Sequence, residues 1–244
     1  MSRLSRLLPL ILAAALLQAC GTRQAAAPAQ PRILLALLDL SGSTEGVRDQ
    51  YLAQVERIVA HVPPGGRLVV LPVSARSLTA PAAVDLTFPE YVWWRTNSLT
   101  HSREMGRRRK EALEGVTALL QQRLPGKGTA LLDSLLQVQE FLKPYPEGTA
   151  ALYIISDMVE QSELLDLWNL TEAGVGPALA KVEEGGRLPA LKGAAVTVAG
   201  LEAAGSLPAA RVMAIRSFWE QLLQRADGRL LWYSPTLQLP EQLP

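Results

Sequence analysis

The chain has one cysteine, Cys20, in 244 residues, so no internal disulfide can hold the fold together. Histidine is nearly as scarce. His61 and His101 are the only two, without metal-ligand spacing or a nucleophile pattern beside them, and both are expected at the surface. Charge of one sign is missing too. With 24 Lys and Arg against 23 Asp and Glu, the formal net charge is +1, which gives no reason to expect nucleic acid or another polyanion as partner. No internal repeat and no long low-complexity tract interrupts the sequence, and no second hydrophobic span follows the first.

That first apolar stretch sits at the start. Arg3 and Arg6 precede Leu7 to Leu17, a run too short to span a bilayer comfortably, which reads as a signal segment over residues 1–19. Leu17-Gln18-Ala19-Cys20 then resembles the lipoprotein signal of bacteria, in which cleavage precedes the cysteine and its sulfur takes a diacylglycerol. Gln18 departs from the usual pattern, and a plain secretory signal with an incidental cysteine is the alternative. The resemblance implies a protein anchored by lipid to a membrane of the bacterial cell envelope, on its periplasmic or extracellular face. A second acyl chain would make the anchoring stable, since one chain holds only marginally. Residues 21–32 are small, polar and proline-broken, and read as a tether between lipidated Cys20 and a domain over 33–244.

Within that domain, strand-like and helical patterns alternate. Ile33 to Asp39 opens with an apolar run that reads as a strand buried on both faces. A helix follows over Val47 to Val62, stopped by Pro63-Pro64-Gly65-Gly66. Strands are expected at Leu68 to Val73 and, at an exposed edge, Ala82 to Phe88. Helices follow over Leu99 to Leu124 and Ala130 to Leu142. Ala151 to Ser156 is a buried strand. Helical segments over Glu163 to Leu170 and Gly176 to Glu184 come next, then a strand at Ala194 to Leu201, a helix at Ala209 to Ala226 and a strand at Arg229 to Tyr233. Such alternation calls for an α/β fold, a mostly parallel sheet with helices on both faces.

Three segments carry chemistry. Asp39-x-Ser41-x-Ser43 follows the first strand, on the edge where open α/β sheets place their ligands. Its oxygen donors at alternate positions suit a hard divalent cation. Gly126-Lys127-Gly128-Thr129 delivers Thr129 to the start of a helix, and Ile154-Ile155-Ser156-Asp157 ends a buried strand in a second carboxylate. Each segment alone reads equally as a capping turn.

Together, in this order, they resemble the metal ion-dependent adhesion site of the von Willebrand factor A (VWA) domain family. The resemblance implies a Rossmann-like, doubly wound six-stranded sheet of order 3-2-1-4-5-6, with the third strand antiparallel. It implies Mg²⁺ (or Mn²⁺) held by Asp39, Ser41, Ser43, Thr129 and Asp157, the two aspartates acting mainly through waters or hydroxyls. Neutral first-shell ligands leave such an ion short of negative charge, so a protein partner is expected to supply an Asp or Glu carboxylate. Asp49 and Asp133 fall within expected helices and read as solvated or capping residues.

Other chemistries fit less well. Gln121 stands where a phosphate loop needs its first glycine, and Gly128 where Ser or Thr should follow the lysine. Asp39-Leu40-Ser41 lacks the second aspartate of an aspartyl-phosphate phosphatase, and neither Ser41 nor Ser43 lies in a G-x-S-x-G elbow. No enzyme is expected. Two functions remain: a metal-dependent, protein-binding lipoprotein, or a scaffold subunit of an envelope complex with a structural or vestigial metal site. Of the remaining features, Arg103, Arg107, Arg108, Arg109 and Lys110, interleaved with glutamates, read as a solvated helix face. Trp93-Trp94, with Phe88 and Tyr91, reads as packing beneath the long helix, a second contact surface being the alternative.

Overall fold

A computed structural model describes residues 32–75, 77–122, 128–200 and 207–239. The signal segment, Cys20 and the tether up to residue 31 lie outside the described residues, as do Gly126, Lys127 and Leu201.

Six strands form one sheet: β1 (Ile33–Asp39), β2 (Arg67–Val73), β3 (Val84–Thr87), β4 (Ala150–Ile155), β5 (Ala195–Ala199) and β6 (Arg229–Ser234). Their spatial order is β3-β2-β1-β4-β5-β6, with only β3 antiparallel to its neighbour. This is the order and polarity expected from the sequence. All seven residues of β1 are buried. Ile33, Leu35 and Leu37 enter one core, and Leu34, Ala36 and Leu38 the core on the other face, following the two-residue period of a strand.

Helices cover both faces. On one lie α1 (Arg48–His61) and α2 (Ser98–Leu120), which bury Tyr51, Val55, Ile58 and Met105, Ala112, Val116 respectively. On the other lie α3 (Leu131–Leu142), α4 (Val175–Glu184) and α5 (Ala209–Arg225), contributing Leu135, Val138, Leu179, Phe218 and Trp219. Among the described residues, no helix is long and apolar enough to cross a membrane.

Two expectations fail. Residues 163–170 are not helical. Ser162 Oγ accepts from the Leu165 amide at 3.3 Å, Asp166 Oδ1 accepts from the Trp168 amide at 2.9 Å, and Gln161 bridges to Asp166. These local side-chain bonds compete with the helical ladder and replace it by successive turns. The helix starts only at Val175, after a 3-10 turn over Glu172–Gly174.

The second failure concerns Trp93 and Trp94, which are 77% and 71% exposed rather than packed beneath α2. A turn sets them outward: the Arg95 and Thr96 amides both reach the Val92 carbonyl, and Thr96 Oγ1 accepts from the Val92 amide. Asn97 then caps α2 by accepting from the amides of Leu99 and Thr100. Phe88, fully buried, fills the core position that the indoles do not. The basic face behaves as expected, with Arg108 paired to Glu111 and Lys110 to Glu114. Asp133, partly exposed in the first turn of α3, is ion-paired with Arg187.

Candidate metal centre

Parallel pairing brings the carboxyl ends of β2, β1 and β4 side by side. Asp39 lies opposite Val73, and Leu38 opposite Ile155, so the residues that follow each strand share one edge. Asp39 and Asp157, 118 positions apart in sequence, meet on that edge.

Asp39 is fully buried. Its Oδ1 accepts from the Ser41 amide at 2.9 Å and its Oδ2 from Ser156 Oγ at 2.6 Å. The Ser41 hydroxyl bonds to the same carboxylate. Ser41 precedes a 3-10 helix, Gly42–Val47, but its side chain makes no cap bond there. The turn is held by Thr44, whose hydroxyl lies 2.8 Å from the Asp39 carbonyl and 2.9 Å from the Ser41 carbonyl. Ser43 stands in this 3-10 helix, and its side chain lies outside the described residues.

Asp157 is 3% exposed, and its Oδ1 accepts from the Val159 amide at 3.0 Å. Between them, Met158 adopts a left-handed φ of 61°. Trp219 Nε1 fastens this residue by donating to the Met158 carbonyl at 2.8 Å. Ser156 ties both loops together, donating to Asp39 and accepting from the Met158 amide at 2.9 Å.

Thr129 is 3% exposed, and it is held by a pair of backbone bonds with Gln161, at 3.1 and 2.9 Å. Next to it the Ala130 amide donates to the Ser74 carbonyl, just past β2, at 3.0 Å. Thr129 does not cap α3. That task falls to Glu160, whose Oε2 accepts from the amides of Leu131 at 2.6 Å and Leu132 at 3.1 Å. A carboxylate on those amides also meets the positive end of the helix dipole. Beside Thr129 opens a groove of about 990 Å³, lined by Gly128, Ala130, Asp133, Gln161 and Arg187 among others.

The electrostatics are those of a site short of positive charge. Burial, and then the neighbouring Asp157 carboxylate, push Asp39 up to about 6, against hydrogen bonds from Ser156 and Ser41 that lower it. Burial likewise pushes Glu160 up to about 7. Tyr51, whose ring is buried close by, is held well above its ordinary range by burial and by both aspartates. The Arg48 guanidinium bonds to the carbonyls of Leu40, Leu120 and Gln122.

This donor set fits a hard divalent cation: two carboxylates and neighbouring hydroxyls, all oxygen, with one carboxylate raised by burial and then by its neighbour's charge. Among the described residues, no group of three or more His, Cys, Asp and Glu side chains is placed to hold a metal. Sequence reasoning missed three contributors: Thr44, Ser156 and Glu160. For Ser156 a signal existed, because it ends the same apolar run as Asp157 and so falls on the carboxyl edge with Asp39.

No protein-family model matches the sequence, and no curated protein matches it. Solved structures similar to the chain include several VWA domain proteins. A von Willebrand factor type A protein from Catenulispora acidiphila is 15% identical, with a TM-score of 0.45, over 84% of this chain and 39% of that one. The ArnB paralog VWA2 from Sulfolobus acidocaldarius is 13% identical, with a TM-score of 0.45, over 86% of this chain and 42% of that one. The conserved hypothetical protein BatB from Bacteroides thetaiotaomicron is 12% identical, with a TM-score of 0.41, over 84% of this chain and 91% of that one. The chain thus spans about two fifths of the length of the first two. At these identities the likeness is one of fold.

Proposed function

We propose that this chain is a VWA-type domain on a lipid anchor, which binds a protein partner through a divalent cation at the bacterial envelope. The observation that carries the reading is the pair of buried carboxylates, Asp39 and Asp157, at the ends of neighbouring central strands. Two such groups repel each other and favour a cation between them.

In this reading Ser41, Ser43 and Thr129 offer hydroxyl oxygens to Mg²⁺ or Mn²⁺, with Asp39 and Asp157 behind them. When bound, the ion supplies an open coordination position that a partner's Asp or Glu can fill. The chain's own residues do the positioning. Ser156 and Thr44 hold the Asp39 loop, Glu160 anchors the helix after Thr129, and Trp219 fixes the turn after Asp157. Nothing in the arrangement calls for a reacting bond, so no catalysis is assigned.

Titration calorimetry tests the site. Mg²⁺ or Mn²⁺ should give saturable heat with the wild type and at least tenfold weaker binding with Thr129→Ala, while the melting temperature stays within a few degrees. Equal heats from both proteins would end the adhesion-site reading. In a pull-down from native envelopes, a partner retained in EDTA would point instead to a scaffold with a structural or vestigial site. Anchoring is tested separately. Cys20→Ser should abolish incorporation of radiolabelled palmitate and release the protein from membranes, and a wild type that takes up no label would refute the lipoprotein reading.

A further inference from the structure

Four of the seven large apolar side chains exposed on the described surface fall within nine residues: Tyr91, Trp93, Trp94 and Leu99. Trp93 and Trp94 stack edge to face, with ring centroids 5.5 Å apart. An exposed apolar cluster this dense on a domain of ordinary composition marks a contact surface. Its place in the fold says with what.

β3 runs antiparallel and ends at Thr87, paired with Arg67 at the start of β2. The Phe88 amide bonds to the Gly66 carbonyl, and the Gly65 amide to the Pro89 carbonyl. Arg32, the first described residue, is on the same edge, where its carbonyl accepts from the Arg67 amide. Arg109 donates to the Ala60 carbonyl near the end of α1, so the first turns of α2 lie at or beyond that edge as well. The aromatic turn and the point where the chain leaves toward Cys20 therefore share the amino edge of the sheet. The metal loops occupy the opposite, carboxyl edge.

Eleven residues separate Cys20 from Arg32. Even fully extended, a stretch of this length reaches only about 40 Å, so an anchored Cys20 keeps the amino edge within that distance of the bilayer. Tryptophan is a side chain that favours the membrane interface, where its ring is buried and its N–H stays wet. Arg95, Arg103 and Arg107, all exposed, outnumber the exposed Glu90 and Glu104 in the same stretch and suit lipid phosphates.

We propose that the Trp93–Trp94 turn seats in the headgroup region of the membrane to which Cys20 is anchored, and so presents the metal edge away from the bilayer. The proposal takes its membrane from the lipoprotein reading, but Trp insertion can be measured independently of it.

The test uses full-length protein extracted from membranes and reconstituted into vesicles of equal parts phosphatidylglycerol and phosphatidylcholine, the latter with or without brominated chains. Brominated lipid should quench wild-type tryptophan fluorescence. The quenching should fall by at least half in Trp93→Ser/Trp94→Ser, with unchanged melting because both rings are exposed, and persist in Trp168→Phe, whose ring lies beyond β4 on the opposite edge. A protein that carries lipid and floats with vesicles, yet is quenched equally in wild type and double variant, overturns the seating and leaves the anchor intact. Unlipidated protein that floats only while Trp93 and Trp94 are present sustains the seating and overturns the anchor. Protein that neither carries lipid nor floats overturns both.

Discussion

Asp39→Asn is expected to abolish Mg²⁺ binding and, in EDTA at pH 8, to melt higher than the wild type by roughly 5 to 10 °C. Both effects have one origin. The Asp39 carboxyl titrates at about 6 in the fold against an ordinary 3.8, raised by burial and by Asp157. Between those values the folded protein holds a proton that the unfolded chain has released, so stability falls as pH rises through this window and then levels off. At about 1.4 kcal/mol per pH unit, the metal-free wild type is disfavoured at pH 8 by on the order of 3 kcal/mol. For a domain of this size each kcal/mol moves the melting point by roughly 2 to 4 °C. Asparagine removes the charge and keeps the shape. Its Oδ1 can still accept from the Ser41 amide, and the Ser156 hydroxyl can turn from donor to acceptor. The advantage of Asp39→Asn should shrink as pH is lowered through about 6, be small at pH 4, and vanish only below the ordinary value of 3.8, where the wild-type carboxyl is protonated in both states. Saturating Mg²⁺ should reverse the ranking at pH 8, because the cation stabilises only the wild type. Thermal melts of both proteins at pH 4, 6 and 8, with EDTA or Mg²⁺, check this. A variant that melts lower than wild type in EDTA at pH 8 would mean that Asp39 is there for structure rather than for a cation.

Much of this architecture was legible in the sequence because the central strands are apolar on both faces. Leu34 to Leu38 and Ala151 to Ile155 have no polar residue facing either core apart from the Tyr153 hydroxyl, so they suit only the interior of a doubly covered sheet. The placement of Asp39 and Asp157 on one edge was legible for a related reason. Polar groups that end such strands abruptly can lie only on the carboxyl edge. What escaped was set by contacts between distant parts of the chain or by competition within short ones. Glu160 looks like a loop carboxylate until α3 brings the Leu131 and Leu132 amides to it. Residues 163–170 carry leucines at helical spacing, yet Ser162 and Asp166 bond to nearby amides and divert the backbone. The Trp93–Trp94 pair misleads for the opposite reason. Large rings suggest burial, but the tight turn from Val92 to Thr96 leaves them no inward path.

Gly128→Ala is expected to lower the melting temperature by roughly 5 to 15 °C and to weaken Mg²⁺ binding beyond detection. Gly128 has a φ of 114°, a region that side chains of ordinary chirality rarely enter. A Cβ there would also lie 2.4 Å from the Gln161 carbonyl oxygen, well inside contact distance. That same oxygen accepts from the Thr129 amide at 3.1 Å, so relief by moving Gln161 breaks the bridge that holds Thr129. Relief by moving residue 128 instead shifts Thr129 directly. Backbone strain of about 1–3 kcal/mol and overpacking of a similar size, about 1–3 kcal/mol, then add. Gly42→Ala is the matched control. It too lies on a carboxyl-edge loop, but its φ is not in the left-handed range and a Cβ would meet nothing within 4 Å. It should keep both the melting temperature and the calorimetric heat of the wild type. Thermal melts and Mg²⁺ titration of the pair decide the matter. If Gly128→Ala behaves like Gly42→Ala, the Thr129 loop is not the rigid support that the Gln161 bridge implies.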